Sequence, residues 1–492
     1  MKRINYFAMS LLASAALAFT GCSSEDLVGG ETNKNESGNF YMTLTIDASS
    51  ASNGTRTALP DDENKTNLGT TLESTVTNGT FIVCNANGDK IYTKSITKSE
   101  WDNAQAPDNV TTGKKTLKIA VSNITAGQTY RIYFLANTTS ENPFEQTYTA
   151  LDVTSEDYAV FAGTYAKNNE FAMFNQNDRT NNANQYTVTF SAANQDENNP
   201  ATLTTPIKIE RVVARIDKPT ANVTTFSDAE GDTEAVKAEK AKIASIQFQS
   251  YALANLAKST YLMQHWDAQF NTFRTPITTP VDANYFQTTA QFGNSKENTA
   301  GDWFNNNEKN YVFENTVAND TYATKMYFVF KATWAASAGA TIPDFTDGTF
   351  YRYEGKLYNS LQDIIDEFAD NGQSNPFGIG VTKDNLLAEL GINTAGQLSG
   401  TEAQIKEFRE KYQIEVFERG EMYYNTTIDD QYYNQPGHHI LRNSIYQLNV
   451  KNVYQIGTDV PNGDPSDLKP FYYLNVQVNV NPWVLNTYDV DL

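Results

Sequence analysis

The sequence predicts a mainly β protein of two β-rich halves, with a few short helices inserted in the second. Three observations carry that prediction. Tyr, Phe, Thr and Val recur in runs whose apolar and polar residues alternate, the period of a half-buried strand. Polar stretches such as 175–185 and 194–201 separate those runs. Apolar spacing of three and four residues, the mark of helices, is concentrated between 360 and 412. A chain of 492 residues has room for two or three domains.

Taken in order, the chain opens with Lys2 and Arg3, an apolar stretch from Phe7 to Phe19, and then Thr20-Gly21-Cys22. A positive start, an apolar middle and a small-residue site make a secretory signal over residues 1–21. Cysteine directly after glycine resembles a bacterial lipobox, in which the Cys22 thiol receives lipid; Phe19 stands where leucine is usual. Residues 23–38 are polar and read as a tether. "FYMTLTID" follows at 40–47, with Phe40, Met42, Leu44 and Ile46 on one face and Tyr41, Thr43, Thr45 and Asp47 on the other. A polar run then leads to Arg56-Thr57.

Residues 80–96 read as a hairpin around Asn87-Gly88-Asp89. The stretches 114–124, 129–139, 186–192 and 205–218 read as strands, and 142–154 as a short helix. A linker-like segment after Lys218 marks a domain boundary. In the second half, 241–253, 309–316 and 324–334 read as strands, and 349–358 as a hairpin turning at Glu354-Gly355. Ser360 caps a helix, Gly391 ends another, and Thr401 with Gln404 has the spacing of a capping box for a third. Strands resume at 415–428 and 438–457. The segment 471–492 holds two strand patterns hinged at Pro482. Leu474, Val476, Val478 and Val480 share a face of the first; Val484, Tyr488, Val490 and Leu492 share a face of the second, opposite Asp489 and Asp491. Strand patterning this strong needs a sheet to join.

Composition excludes some functions. With 37 Lys+Arg against 58 Asp+Glu, the formal net charge of −21 repels phosphate backbones, so no nucleic-acid partner is expected. Apart from the signal, no stretch approaches the roughly 18 apolar residues of a membrane span. There is no phosphate-binding glycine loop, no nucleophile elbow and no His-Glu-x-x-His. His438 and His439 point to opposite faces of a strand and cannot readily share a metal. The acidic loop 459–469 lacks the calcium-loop pattern and reads as a solvated connector. Asp363, Asp366 and Glu367 line a solvated helix face, and Cys84 is an unpaired, buried strand residue. No cofactor, metal or catalytic residue is expected.

The stretches 423–457 and 478–492, supported by 310–334 and 207–218, resemble the fimbrillins of type V pili, and most nearly the major subunit of the short (minor) fimbria. The resemblance implies two transthyretin-like β-sandwich domains. It implies a lipoprotein signal at 1–21, a propeptide at 22–56, an N-terminal domain at 57–218 and a C-terminal domain at 219–492 ending in donor strands 471–492. Cys22 would carry lipid and an arginine-specific protease would cut between Arg56 and Thr57. The strand bearing Phe40, Met42, Leu44 and Ile46 would leave, and the donor segment of a neighbouring copy would replace it. The partners implied are other copies of the chain, accessory and anchor pilins, that protease, and surface ligands of host or bacterium. The location implied is a cell-surface fimbrium, with the precursor lipid-anchored in the outer membrane. A monomeric surface lipoprotein that stacks glycans on Trp101, Trp266, Trp303 or Trp334 is the alternative.

Overall fold

The computed structural model describes residues 39–48, 70–106, 114–137, 150–152, 165–177, 186–267, 272–274, 306–318, 322–336, 342–369, 375–430, 433, 436–461, 474–482 and 488–490. For 150–152, 266–267, 272–274, 474–482 and 488–490 the description is of the backbone.

The first half is built on β1 (Phe40–Asp47), β2 (Gly79–Cys84), β3 (Lys90–Ile96), β4 (Lys114–Val121), β5 (Thr129–Ala136), β6 (Met173–Asn175), β7 (Thr187–Thr189), β8 (Ala201–Thr202) and β9 (Ile207–Arg211). They form one nine-stranded sheet: β4 lines one side of β1, β8 and β9 share its other side, the order continues β9-β6-β5-β2-β3, and β7 pairs with β5. The β2–β3 hairpin forms because Asn85 Oδ1 accepts from the amides of Asn87 and Asp89, each at 2.9 Å, while Gly88 takes φ +93°. Two short helices belong to this half, α1 (Thr71–Ser74) and α2 (Lys98–Asn103).

The second half is built on β10 (Val213–Asp217), α3 (Glu234–Lys240), β11 (Ile243–Ala254), β12 (Lys309–Phe313), β13 (Lys325–Trp334), α4 (Leu361–Phe368), α5 (Lys383–Leu390), α6 (Glu402–Tyr412), β14 (Glu421–Thr427), β15 (Ser444–Val453), β16 (Leu474–Pro482) and β17 (Tyr488–Val490). A six-stranded sheet runs β12-β10-β15-β16-β17, with Thr220–Ala221 also on β15, and a three-stranded sheet runs β11-β13-β14. The chain passes from the first sheet to the second at Val212, between β9 and β10.

The main hydrophobic core runs through both halves, from Phe40 and Phe81 to Phe328 and Tyr446. A second core belongs to the helical insertion, where Leu361, Leu386, Leu390 and Phe408 pack on Tyr351. Ser360 caps α4, and Thr401 with Gln404 forms the capping box of α6. The α5 helix ends at Gly391, φ +74°, whose amide donates to Leu387 O at 2.9 Å.

Two expectations fail. Ala150–Asp152 is not helical but a strand paired with Ser259–Tyr261, because a partner from the second half supplies its ladder. Asp459 is not in a solvated connector: it is buried, ion-paired with Arg409 at 2.5 Å, and accepts from the Val416 amide at 2.8 Å. The rest of that loop, 462–469, lies outside the described residues.

Candidate functional site

Strand β1 is an interior strand of its sheet. All eight of its residues pair antiparallel with β4, from Phe40 opposite Val121 to Asp47 opposite Lys114. On its other side it runs parallel to β8 at Met42–Thr43 and to β9 at Ile46–Asp47, and the Leu203 amide donates to Thr43 O at 3.0 Å. Its apolar face is closed off: Phe40 is 3% exposed, Leu44 1%, and Met42 and Ile46 0%. Phe40 meets Phe190 edge to face at 5.7 Å. On the outer face Thr45 and Thr116 share a hydrogen bond of 3.0 Å, and Asp47 lies 3.6 Å from Lys114.

β4 has no ladder partner beyond β1 among the described strands, apart from one bridge to Gln105. Lifting β1 out would therefore part β4 from the body of its sheet and bare two rows of backbone donors and acceptors. Such a slot invites another strand.

α1 follows fourteen positions after the Arg56-Thr57 bond and is tied to the second half. Glu73 is 1% exposed. Its carboxylate accepts from Tyr311 Oη at 2.6 Å, from an Arg215 guanidinium nitrogen at 2.7 Å and from the Thr70 amide at 2.6 Å, with Lys309 at 3.4 Å. Burial opposes ionisation of Glu73, but the Arg215 charge and the Tyr311, Thr70 and Arg215 hydrogen bonds outweigh it and hold its pKa down at about 2. The buried Arg211 adds to the junction, donating from Nε to Glu73 O at 2.6 Å and from another nitrogen to Asn443 Oδ1 at 2.8 Å. Sequence reasoning singled out neither Glu73 nor the two arginines as a junction. Thr70 and Glu73 have capping-box spacing, which could have drawn attention to the helix but not to its partners.

Residues 474–482 and 488–490, within the segment expected to act as a donor, lie on the second sheet. β16, which carries Leu474, Val476, Val478 and Val480, pairs antiparallel with β15 along its length, from Pro482 opposite Ser444 to Leu474 opposite Val453. β17, with Tyr488 and Val490, pairs with β16 through three positions and is the outermost of the described strands of that sheet. Val484 and Leu492 lie outside the described residues, as do Cys22, Arg56 and Thr57. The structure thus places Phe40–Asp47 in one sheet and β16 and β17 in the other.

The remaining candidates have structural surroundings. Cys84 is buried and free. Trp101 is 5% exposed and stacks on Phe134 at 5.6 Å, so it presents no platform to a sugar. His439 is buried, and His438 sits 3.3 Å from Asp429. Among the described residues no group of three or more His, Cys, Asp and Glu side chains could hold a metal. No helix among them is long and apolar enough to cross a membrane.

Comparison with known proteins bears on the second half first. Residues 415–489 match the family model described as major fimbrial subunit protein type IV, fimbrillin, C-terminal. That stretch runs from the strand at Glu415 through β14, β15 and β16 and takes in most of β17. Among solved structures, a fimbrilin from Porphyromonas gingivalis is 14% identical, covering 92% of this chain and 99% of its own at a TM-score of 0.40. A fimbrial assembly protein from Parabacteroides distasonis is 13% identical, covering 60% and 82%, at 0.30. The fimbrial anchor protein Mfa2 from Porphyromonas gingivalis is 8% identical, covering 92% and 99%, at 0.27. No curated protein sequence matches the chain.

Proposed function

We propose that this chain is a structural fimbrial subunit of the cell surface, a shaft pilin without catalytic activity. It is exported as a lipoprotein on signal 1–21 and lipidated at Cys22. Cleavage between Arg56 and Thr57 ends the propeptide 22–56, releases β1 from the N-terminal domain 57–218, and opens its groove. Donor strands 471–492 of the C-terminal domain 219–492 of a neighbouring copy then fill it. Its partners are further copies, anchor and accessory pilins, and an arginine-specific protease.

The observation that carries this reading is β1 itself. It is a short strand N-terminal to an Arg-Thr bond, yet it lies between two neighbours in a sheet with its apolar face closed off. The fimbrillin match over 415–489 supports the same reading from the donor end. Burial of four apolar side chains at about 1.5–3 kcal/mol each gives a gross 6–12 kcal/mol for the leader strand. Within 471–492 two stripes, Leu474, Val476, Val478 and Val480, and Val484, Tyr488, Val490 and Leu492, carry the period of a strand, so a donor from this segment can offset a comparable loss. A head-to-tail contact of this kind does not close on itself and builds a filament. The Glu73 junction keeps α1 docked while the leader departs.

N-terminal determination on protein sheared from the cell surface tests the cleavage. Thr57 as the first residue supports maturation and exchange. An acylated Cys22 as the sole N-terminus indicates an uncleaved surface lipoprotein and ends the proposal.

A further inference from the structure

The groove distinguishes its two ends by charge. The outward residues of β1, Tyr41, Thr43, Thr45 and Asp47, stand opposite Ala120, Lys118, Thr116 and Lys114 of β4. Lys118 has Glu197 at 3.0 Å, a residue that remains after cleavage. Lys114 has Asp47 at 3.6 Å, and Asp47 is buried, 6% exposed. Cleavage after Arg56 would take Asp47 away with the leader and leave Lys114, about a third exposed at 32%, without that carboxylate. An incoming strand that lacked an acid there would desolvate an ammonium without returning its partner.

The donor segment offers acids in one place. Between Leu474 and Leu492 the acidic residues are Asp489 and Asp491, which alternate with Tyr488, Val490 and Leu492. The leader alternates Thr45 and Asp47 with Leu44, Ile46 and Ala48 in the same way. The outward positions of β16 offer Asn475, Gln477 and Asn479 instead. β16 also has a strand on each side, whereas β17 is the outermost of the described strands, paired through three positions, and is the easier to detach.

We infer that Lys114 reads an acidic side chain of the incoming strand, Asp491 of a second copy, and so fixes both the register and the direction of that strand in the groove. The inference rests on the strand-exchange reading above and adds its specificity. With Asp491 in the place of Asp47, Val490 takes the slot of Ile46, Tyr488 that of Leu44, and Val484 that of Phe40. Asn486 takes that of Met42, the one polar residue on the inserted face. Entry in the opposite direction would carry Asp489 and Asp491 to the far end of the groove, away from Lys114.

The test uses the full chain cleaved in solution after Arg56, with assembly read as the rate at which subunits enter a ladder of oligomers. Lys114→Glu is made together with Asp47→Lys, so that the precursor keeps its ion pair and folds. This double variant should assemble at least about tenfold more slowly than the wild type. Adding Asp491→Lys should restore the rate to within about threefold, and adding Asp489→Lys instead should not. Unchanged assembly of the Lys114→Glu chain overturns the inference and leaves strand exchange standing. Failure of Asp491→Lys to rescue, or rescue by Asp489→Lys, overturns the assigned register. Wild-type chain that is cleaved and never assembles overturns strand exchange itself.

Discussion

Leu44→Ala should weaken the precursor and leave the assembled protein untouched. Leu44 is 1% exposed and sits opposite Leu117, itself buried, so alanine leaves a cavity that the two flanking strands cannot close. Truncating a buried leucine typically costs about 2–5 kcal/mol. That is a large part of the roughly 5–15 kcal/mol by which a domain is stable. Urea unfolding of the uncleaved chain should therefore show a lower midpoint with an unchanged slope. The same variant, cleaved and assembled, no longer contains residue 44, and its filaments should come apart at the wild-type denaturant concentration within about 0.5 kcal/mol of stability. Filaments weakened as much as the precursor would mean that the leader stays in place. An unaffected precursor would mean that β1 does not contribute its packing to the fold.

Other outcomes follow from particular residues. Arg56→Ala should leave the full-length lipidated precursor on the membrane and abolish filaments, as read by immunoblot and electron microscopy. Glu73 has its folded-state pKa lowered from 4.5 to about 2, so it stabilises above its unfolded pKa, and that contribution falls away as pH drops from about 4.5 towards 2. Glu73→Gln should therefore lose on the order of 3 kcal/mol at pH 7 and flatten the acid limb of the stability curve; an acid limb identical to the wild type would contradict the assignment. Burial pushes the Cys84 thiol up to about 11, so thiol reagents at pH 8 should label it only on unfolding. Gly79→Ala should destabilise the first half by about 1–3 kcal/mol in a melting experiment, because a methyl there would lie 2.4 Å from the Phe134 ring and 2.9 Å from Leu135 O.

What the sequence made legible was local. The β2–β3 hairpin could be read because Asn87-Gly88 carries its own turn chemistry, and the helices of the insertion because Ser360, Thr401 and Gly391 mark their ends. The period of two in Phe40–Asp47 gave the buried face correctly, since alternation needs no knowledge of the partner. It could not give the neighbours. β8 and β9 lie far along the chain and pair parallel to β1, and no short-range signal encodes that choice. Glu73 was hidden for the same reason. One acid among 58 looks solvated until Arg215, Tyr311 and Lys309 arrive from the other half to bury it. Asp459 misled in the same way, sitting in a run of Asp, Pro and Gly that resembles a surface loop while Arg409 of α6 reaches across to it. At 150–152 the short helix expected over 142–154 gives way to a ladder with Ser259–Tyr261.

The groove that β1 fills can be interrogated from its own wall. A photoreactive amino acid placed at Leu117, opposite Leu44, would be activated in filaments grown from a mixture of isotopically heavy and light chains. Mass spectrometry of the adduct should identify a peptide from 474–492, with heavy groove joined to light strand as often as random mixing allows. Adducts to Phe40–Asp47, or adducts confined to one chain, would show that the slot never changes its occupant.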